Sequence, residues 1–145
     1  MPPVFSPRAK DCKLACNNYS DWIENRLGAE RVKQVYPFRS IIDSEVILAG
    51  ATDAPIESSD LLRAIQVAVT RNNFITKECL TVEEALRIFT YNAAYACRQE
   101  TIKGSLEEGK LADFVILEKD ITKIPSEIIC QTKILATYHR GKRIF

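Results

Sequence analysis

At 145 residues the chain is about the size of one ordinary domain, able to bury about 70% of its unfolded surface and too short for a complete (β/α)8 barrel. Hydrophobic residues make up 46% and charged residues 27%, an average soluble mix that excludes disordered, collagen-like and low-complexity classes. Lysine and arginine number 20 against 19 aspartates and glutamates, so a net charge of +1 offers no global field for nucleic acid or an acidic membrane.

Met1-Pro2-Pro3-Val4-Phe5 has no basic stretch leading into an apolar one, and no run of about 18 apolar residues follows, so a soluble, cytoplasmic protein is expected. Cys12, Cys16, Cys79, Cys97 and Cys130 form no CxxC pair and read as reduced thiols, Cys97 and Cys130 in apolar surroundings. Asn18-Tyr19-Ser20 matches a glycosylation sequon, which carries no weight without a secretory signal. With three prolines and little periodicity, the first twenty residues read as an irregular connecting segment.

From Ser20 a helix is expected: Ser20 or Asp21 caps it, Trp22, Ile23 and Leu27 form its apolar side, and Gly28 stops it. A short helix from Ala29 to Tyr36 should end before Pro37, and Phe38, Ile41 and Ile42 space like one face of another. Val46-Ile47-Leu48-Ala49-Gly50 is apolar without alternation, the pattern of a buried parallel strand. A polar loop, Thr52-Asp53-Ala54-Pro55, leads to a helix capped by Asp60 and carrying Leu61, Leu62, Ile65 and Val69. Thr81-Val82-Glu83-Glu84 is a capping box, and the apolar stripe behind it predicts one helix from Val82 to Cys97. Beyond Glu100 the chain turns β-rich, with strands expected at Phe114 to Leu117 and Ile134 to Tyr138 and a turn at Gly141.

Asp53 stands just past the C-terminal end of the buried strand, where α/β folds collect functional side chains, although on local sequence alone an aspartate before Ala-Pro is better explained as capping a turn. His139 is the sole histidine and cannot supply the three or so protein ligands of a catalytic zinc site; a surface hairpin position suits it better. No GxSxG, no cysteine with an evident histidine partner, no phosphate loop and no GxGxxG occurs. Glu83 and Glu84 fit the positive end of a helix, Glu107 and Glu108 a turn, and Lys110 and Asp113 a hairpin or strand entry.

Taken together, Tyr36-Pro37-Phe38-Arg39-Ser40-Ile41-Ile42-Asp43, Thr52-Asp53-Ala54-Pro55-Ile56-Glu57 and Leu80-Thr81-Val82-Glu83-Glu84-Ala85-Leu86 resemble the closing third of the amidohydrolase superfamily. Thr90-Tyr91-Asn92-Ala93-Ala94-Tyr95-Ala96 and the stretch from Lys103-Gly104-Ser105 through Gly109-Lys110-Leu111-Ala112-Asp113 to Leu117 are similar to that superfamily's junction between barrel and small β domain. The nearest group is the amidohydrolase-3 type, which includes N-substituted formamide deformylases, and the resemblance runs from Pro3 to the C-terminus. Ala51-Thr52 stands in place of a common Gly-Ser, and Ser44-Glu45 where a glycine often precedes the last strand.

The resemblance implies an α/β fold: the C-terminal part of a TIM barrel over residues 1–100, then part of a small β-sandwich over 101–145. It implies a metal-dependent hydrolase of C–N bonds other than peptide bonds, in which Asp53 is both a metal ligand and the catalytic proton shuttle. A carboxylate suits both tasks, holding a cation through one oxygen and taking a proton through the other. The family's HxH pair, its bridging carboxylate or carboxylated lysine and its two later histidines have no counterpart in this sequence. The expected cofactor is therefore a divalent metal, zinc foremost, in the complete enzyme and none in this chain alone. Two readings follow. In one, the chain is the C-terminal part of an amidohydrolase whose remaining barrel is supplied by a complementary N-terminal chain, around a small-molecule substrate, or was lost from the gene model; in the other, the chain is a non-catalytic remnant or partner-binding module. A self-sufficient enzyme built on Asp53 alone falls short of the ligand count.

Overall fold

The computed structural model describes residues 9–13, 19–55 and 57–145, with side chains from residue 25 onward. Cys16 and Asn18 lie outside the described residues, as do the side chains of Cys12, Trp22 and Ile23.

Strand β1 (Ala9–Lys13) pairs in parallel with β2 (Ile47–Ala51), Ala9 opposite Ile47 and Lys13 opposite Ala51. This corrects the irregular reading of the N-terminal segment. The sequence Ala-Lys-Asp-Cys-Lys has no alternating pattern to announce a strand; its backbone ladder with β2 makes it one. Helix α1 (Tyr19–Arg31) is interrupted at Gly28, which takes φ 77, so the glycine breaks the helix where a stop was expected. In place of a helix up to Tyr36, the chain continues to Arg31 and then makes a 3-10 turn at Val32–Gln34.

Helix α2 (Phe38–Asp43) starts behind Pro37 and buries Phe38. Glu45 then takes φ 60, the left-handed region that a glycine would enter at lower cost, and β2 follows. Leu48 and Ala49 are both buried, and neighbouring strand residues point to opposite faces, so β2 is covered on both sides there. That explains its unbroken apolar run.

Helix α3 (Leu61–Thr70) is capped by Asp60, whose carboxylate accepts the Arg63 N–H at 3.1 Å, and it buries Ala64, Ile65, Val67 and Ala68. Helix α4 (Val82–Phe89) carries the expected capping box: Thr81 Oγ1 accepts from Glu84 N, and Glu84 reaches back to Thr81 N. The single helix expected over 82–97 is instead two. Thr90 leaves helical geometry at φ −118, ψ −91, and α5 (Tyr91–Ala96) starts in a new direction. The Thr90 hydroxyl donates to Leu86 O at 2.7 Å, a back-bond of the kind that bends helices.

The tail forms an antiparallel sheet of β3 (Phe114–Leu117), β4 (Ile134–His139) and β5 (Lys142–Arg143), in the order β3-β4-β5. Phe114 stacks on Tyr138 at 4.5 Å between ring centres. Gly104 fits its turn for two reasons: φ is 97, and a Cβ there would lie 2.7 Å from that of Ala94. One core unites helices and tail. Phe38, Leu48, Ile65, Ala68, Leu80, Ala85 and Ile88 pack with Ile121 and Ile129 from beyond the helices. A 3-10 stretch at Ser126–Gln131 lies on α3, where Gln66 Oε1 accepts the Cys130 N–H at 2.9 Å. The chain is thus a mixed α/β structure.

Candidate functional site

Asp53 lies two residues beyond the end of β2, half-buried, with φ 58. Aspartate tolerates the left-handed region better than most residues, and the Glu57 N–H approaches its backbone carbonyl at 3.4 Å as the chain turns. Asp53 thus follows the C-terminal end of a parallel strand, the end at which α/β folds generally place their ligand-binding loops.

Strand β2 is gripped from the helical side at two points. Asn92 on α5 donates through Nδ2 to Leu48 O at 2.8 Å. Three residues before Asp53, Gly50 lies against the ring of Phe89 so closely that a Cβ would sit 2.8 Å from Phe89 Cε1. Both contacts come from the elbow at Thr90.

The segment leading into β2 is tied down by charge. Arg39 forms a two-pronged pair with Glu84, Nη1 to Oε2 at 2.8 Å and Nη2 to Oε1 at 2.7 Å, and its Nε lies 3.0 Å from Asp43. The Arg39 hydrogen bond holds the Glu84 carboxyl below the usual carboxylate range, and Glu84 in turn raises Arg39. Nearby, Glu78 is buried and accepts from Ser40 N at 3.0 Å and Ser40 Oγ at 2.7 Å. Burial pushes the Glu78 carboxyl up, but these two donors, with Lys77 and the Arg39 backbone, outweigh it and leave its pKa lowered. Sequence reading placed Glu84 only in its capping box; the partners of Glu84 and Asn92 lie 45 and 44 residues away, and nothing local signals either contact.

The remaining candidates take structural places. Lys110 Nζ lies 2.6 Å from both Ser105 Oγ and Glu107 Oε2, closing the turn there. Asp113 accepts the Arg140 N–H at 2.7 Å and faces His139 Nδ1 at 3.1 Å, so it fixes the β4–β5 turn to the start of β3, and exposed His139 belongs to that hairpin. Cys79, Cys97 and Cys130 are free thiols; Cys97 is exposed rather than set among apolar groups, because α5 ends there and turns it outward. Among the described residues no three of His, Cys, Asp and Glu gather as a metal-binding group, so these residues do not make up a site of about three protein ligands.

Residues 6–145 match the model of the amidohydrolase family. The chain belongs to that family. It is 32% identical over 132 residues to amidohydrolase YtcJ of Bacillus subtilis (strain 168), covering 86% of this chain and 25% of that protein. With N-substituted formamide deformylase of Arthrobacter pascens it shares 29% identity over 113 residues, 74% of this chain and 21% of the relative. Among solved structures, an uncharacterised metal-dependent hydrolase from Pyrococcus furiosus superposes with a TM-score of 0.68 at 32% identity, over 79% of this chain and 24% of that one. The chain therefore spans about a quarter of the length of these amidohydrolase relatives. No helix among the described residues is long and apolar enough to cross a membrane.

Proposed function

We propose that this chain is the C-terminal quarter of a metal-dependent amidohydrolase that cleaves C–N bonds other than peptide bonds in small molecules, and that it turns over substrate only when the remainder is supplied. In this reading residues 1–100 are the last strands and helices of a (β/α)8 barrel, and 101–145 are strands of a small β-sandwich. Asp53 is the metal-binding and catalytic residue. The observation that carries the reading is the place of Asp53: past the end of a parallel strand, inside a stretch that matches the amidohydrolase family throughout.

Asp53 would hold a divalent cation, zinc in our reading, through one carboxylate oxygen, and its other oxygen would take and return a proton during hydrolysis. The cation, when bound, supplies Lewis acidity toward a carbonyl and toward water. A single carboxylate is a weak holder of such an ion, and functional sites draw on several ligands and the groups that orient them. The missing donors would come from a complementary N-terminal amidohydrolase chain, which would also cover the exposed apolar residues of the tail sheet, Val115, Ile116 and Leu135 among them.

Mixing the purified chain with the N-terminal three quarters of a relative, in the presence of zinc, tests the proposal. Hydrolysis of an N-substituted formamide should appear in the mixture and fall at least about 100-fold with Asp53→Asn, the scale of a lost general base. Chelator-sensitive hydrolysis of a formanilide by the unaccompanied chain would overturn the incomplete-site reading.

A further inference from the structure

The elbow at Thr90 serves no helix-forming end: it breaks a run that would otherwise continue, and it brings Phe89 and Asn92 onto the same strand. Those two residues meet β2 differently. Asn92 fixes the Leu48 carbonyl by a hydrogen bond, which sets the strand's position along its axis; the Phe89 ring meets the bare face of Gly50, which sets its distance from the helices. Only glycine admits the ring so close. Between Gly50 and Asp53 lie only two residues, Ala51 and Thr52.

We propose that Asn92 and Phe89 form a positioning device for Asp53, with Asn92 a positioning residue that acts through β2 rather than on substrate. Its catalytic consequence rests on the reading of Asp53 given above, but the mechanical coupling does not. A carboxylate that must hold a cation and move a proton has to be placed within about half an ångström, which needs a locked support. Two contacts of different kind, one polar and one steric, give the strand end that lock.

The full chain serves for the test. Asn92→Asp removes the donor at constant size, and Gly50→Ala forces a Cβ into the Phe89 ring. Each should speed backbone amide exchange over residues 49–53 by about tenfold, the scale of one lost hydrogen bond, while α3 amides at 64–68 keep their rates. In each variant the carboxyl 13C resonance of Asp53 should also move while that of Asp120 stays. If Asn92→Asp does not fold, Gly50→Ala carries the test alone. Unchanged exchange at 49–53, a rise shared equally with α3, or an unmoved Asp53 carboxyl overturns the proposal. None of these readouts involves turnover. An inactive reconstituted enzyme with the expected Asp53 shift would therefore sink the hydrolase reading and leave the coupling standing.

Discussion

The layer around β2 and the sheet at the end of the chain both rest on backbone ladders, yet they treat their side chains in opposite ways. Around β2, neighbouring Leu48 and Ala49 are both buried, and Phe38, Ile65 and Ile88 close the core about Leu48. In the tail, adjacent Val115 and Ile116 point to opposite faces of β3 and are 48% and 42% exposed. Ile144 and Phe145, bonded through their backbone to Thr137, are two-thirds exposed. A ladder fixes strand direction and register; it does not bury anything. The helical layer has its own cover, whereas the tail sheet presents apolar surface of the kind that marks an interaction site, in a chain spanning a quarter of its relatives' length.

The boundary between the two regimes follows burial rather than position along the chain, and two substitutions can break that statement. Ile88→Ala in α4 should cost about 2–5 kcal/mol, and Ile129→Ala, far down the tail but fully buried against α3, should cost about the same. Denaturant unfolding checks both. An Ile129→Ala midpoint within error of the parent would mean that the tail is a separate unit and that the shared core contributes little.

A smaller effect is expected at the charged tie. Arg39→Met or Glu84→Gln should each destabilise by about 1.5–3 kcal/mol, since each removes the two-pronged charged pairing from a half-buried group. The double variant should cost less than the sum, because both remove the same pair. Full additivity in urea titrations would mean that the fork adds nothing to holding the approach to β2.

The legible parts of this fold are those written locally. Asp60 and Thr81 announce their helices by caps, β2 by its apolar run, and the tail hairpin by Gly141. Asp53 was legible as a strand-end aspartate, and family resemblance gave it a candidate role. What was not legible depends on partners distant in the chain. Strand β1 has no pattern of its own and exists through pairing with β2. The stripe through residues 82–97 keeps helical spacing across Thr90, so periodicity alone joins α4 to α5; the break is visible only once Phe89 and Asn92 meet β2. Glu84 was legible in its capping box, but nothing local pairs it with Arg39, 45 residues away.

Acid should sharpen the comparison, because the depressed carboxylates of the β2 layer lie at its polar seams. Glu78 and Glu84 have folded pKa values below their ordinary 4.5, so the unfolded chain takes up protons first as pH falls. Their contribution is fully present above that value and is lost as pH drops through the folded pKa values. Asp120, held down to about 2 by Lys123 and Thr122, prolongs the trend to lower pH, though it lies exposed. The urea midpoint should decline steadily between roughly pH 5 and pH 3, and Glu84→Gln should flatten that decline. An unchanged slope in the variant would remove Glu84 from the account.

The smallest effect on stability is expected where the tail sheet is bare. Val115→Ser with Phe145→Ser removes two side chains that are about half and two-thirds exposed, so folding free energy should change by no more than about 0.5 kcal/mol per site. Association should respond far more. Strand β3 is one of the two outer strands of this sheet among the described residues, and an apolar strand with an open edge is a template for pairing with another chain. Size-exclusion chromatography at several concentrations should show the parent eluting earlier as concentration rises, and the double variant holding its position. A parent that elutes as a monomer throughout would mean that these residues tolerate water as they stand. The contrast between the two regions would then be one of exposure alone, without a missing partner behind it.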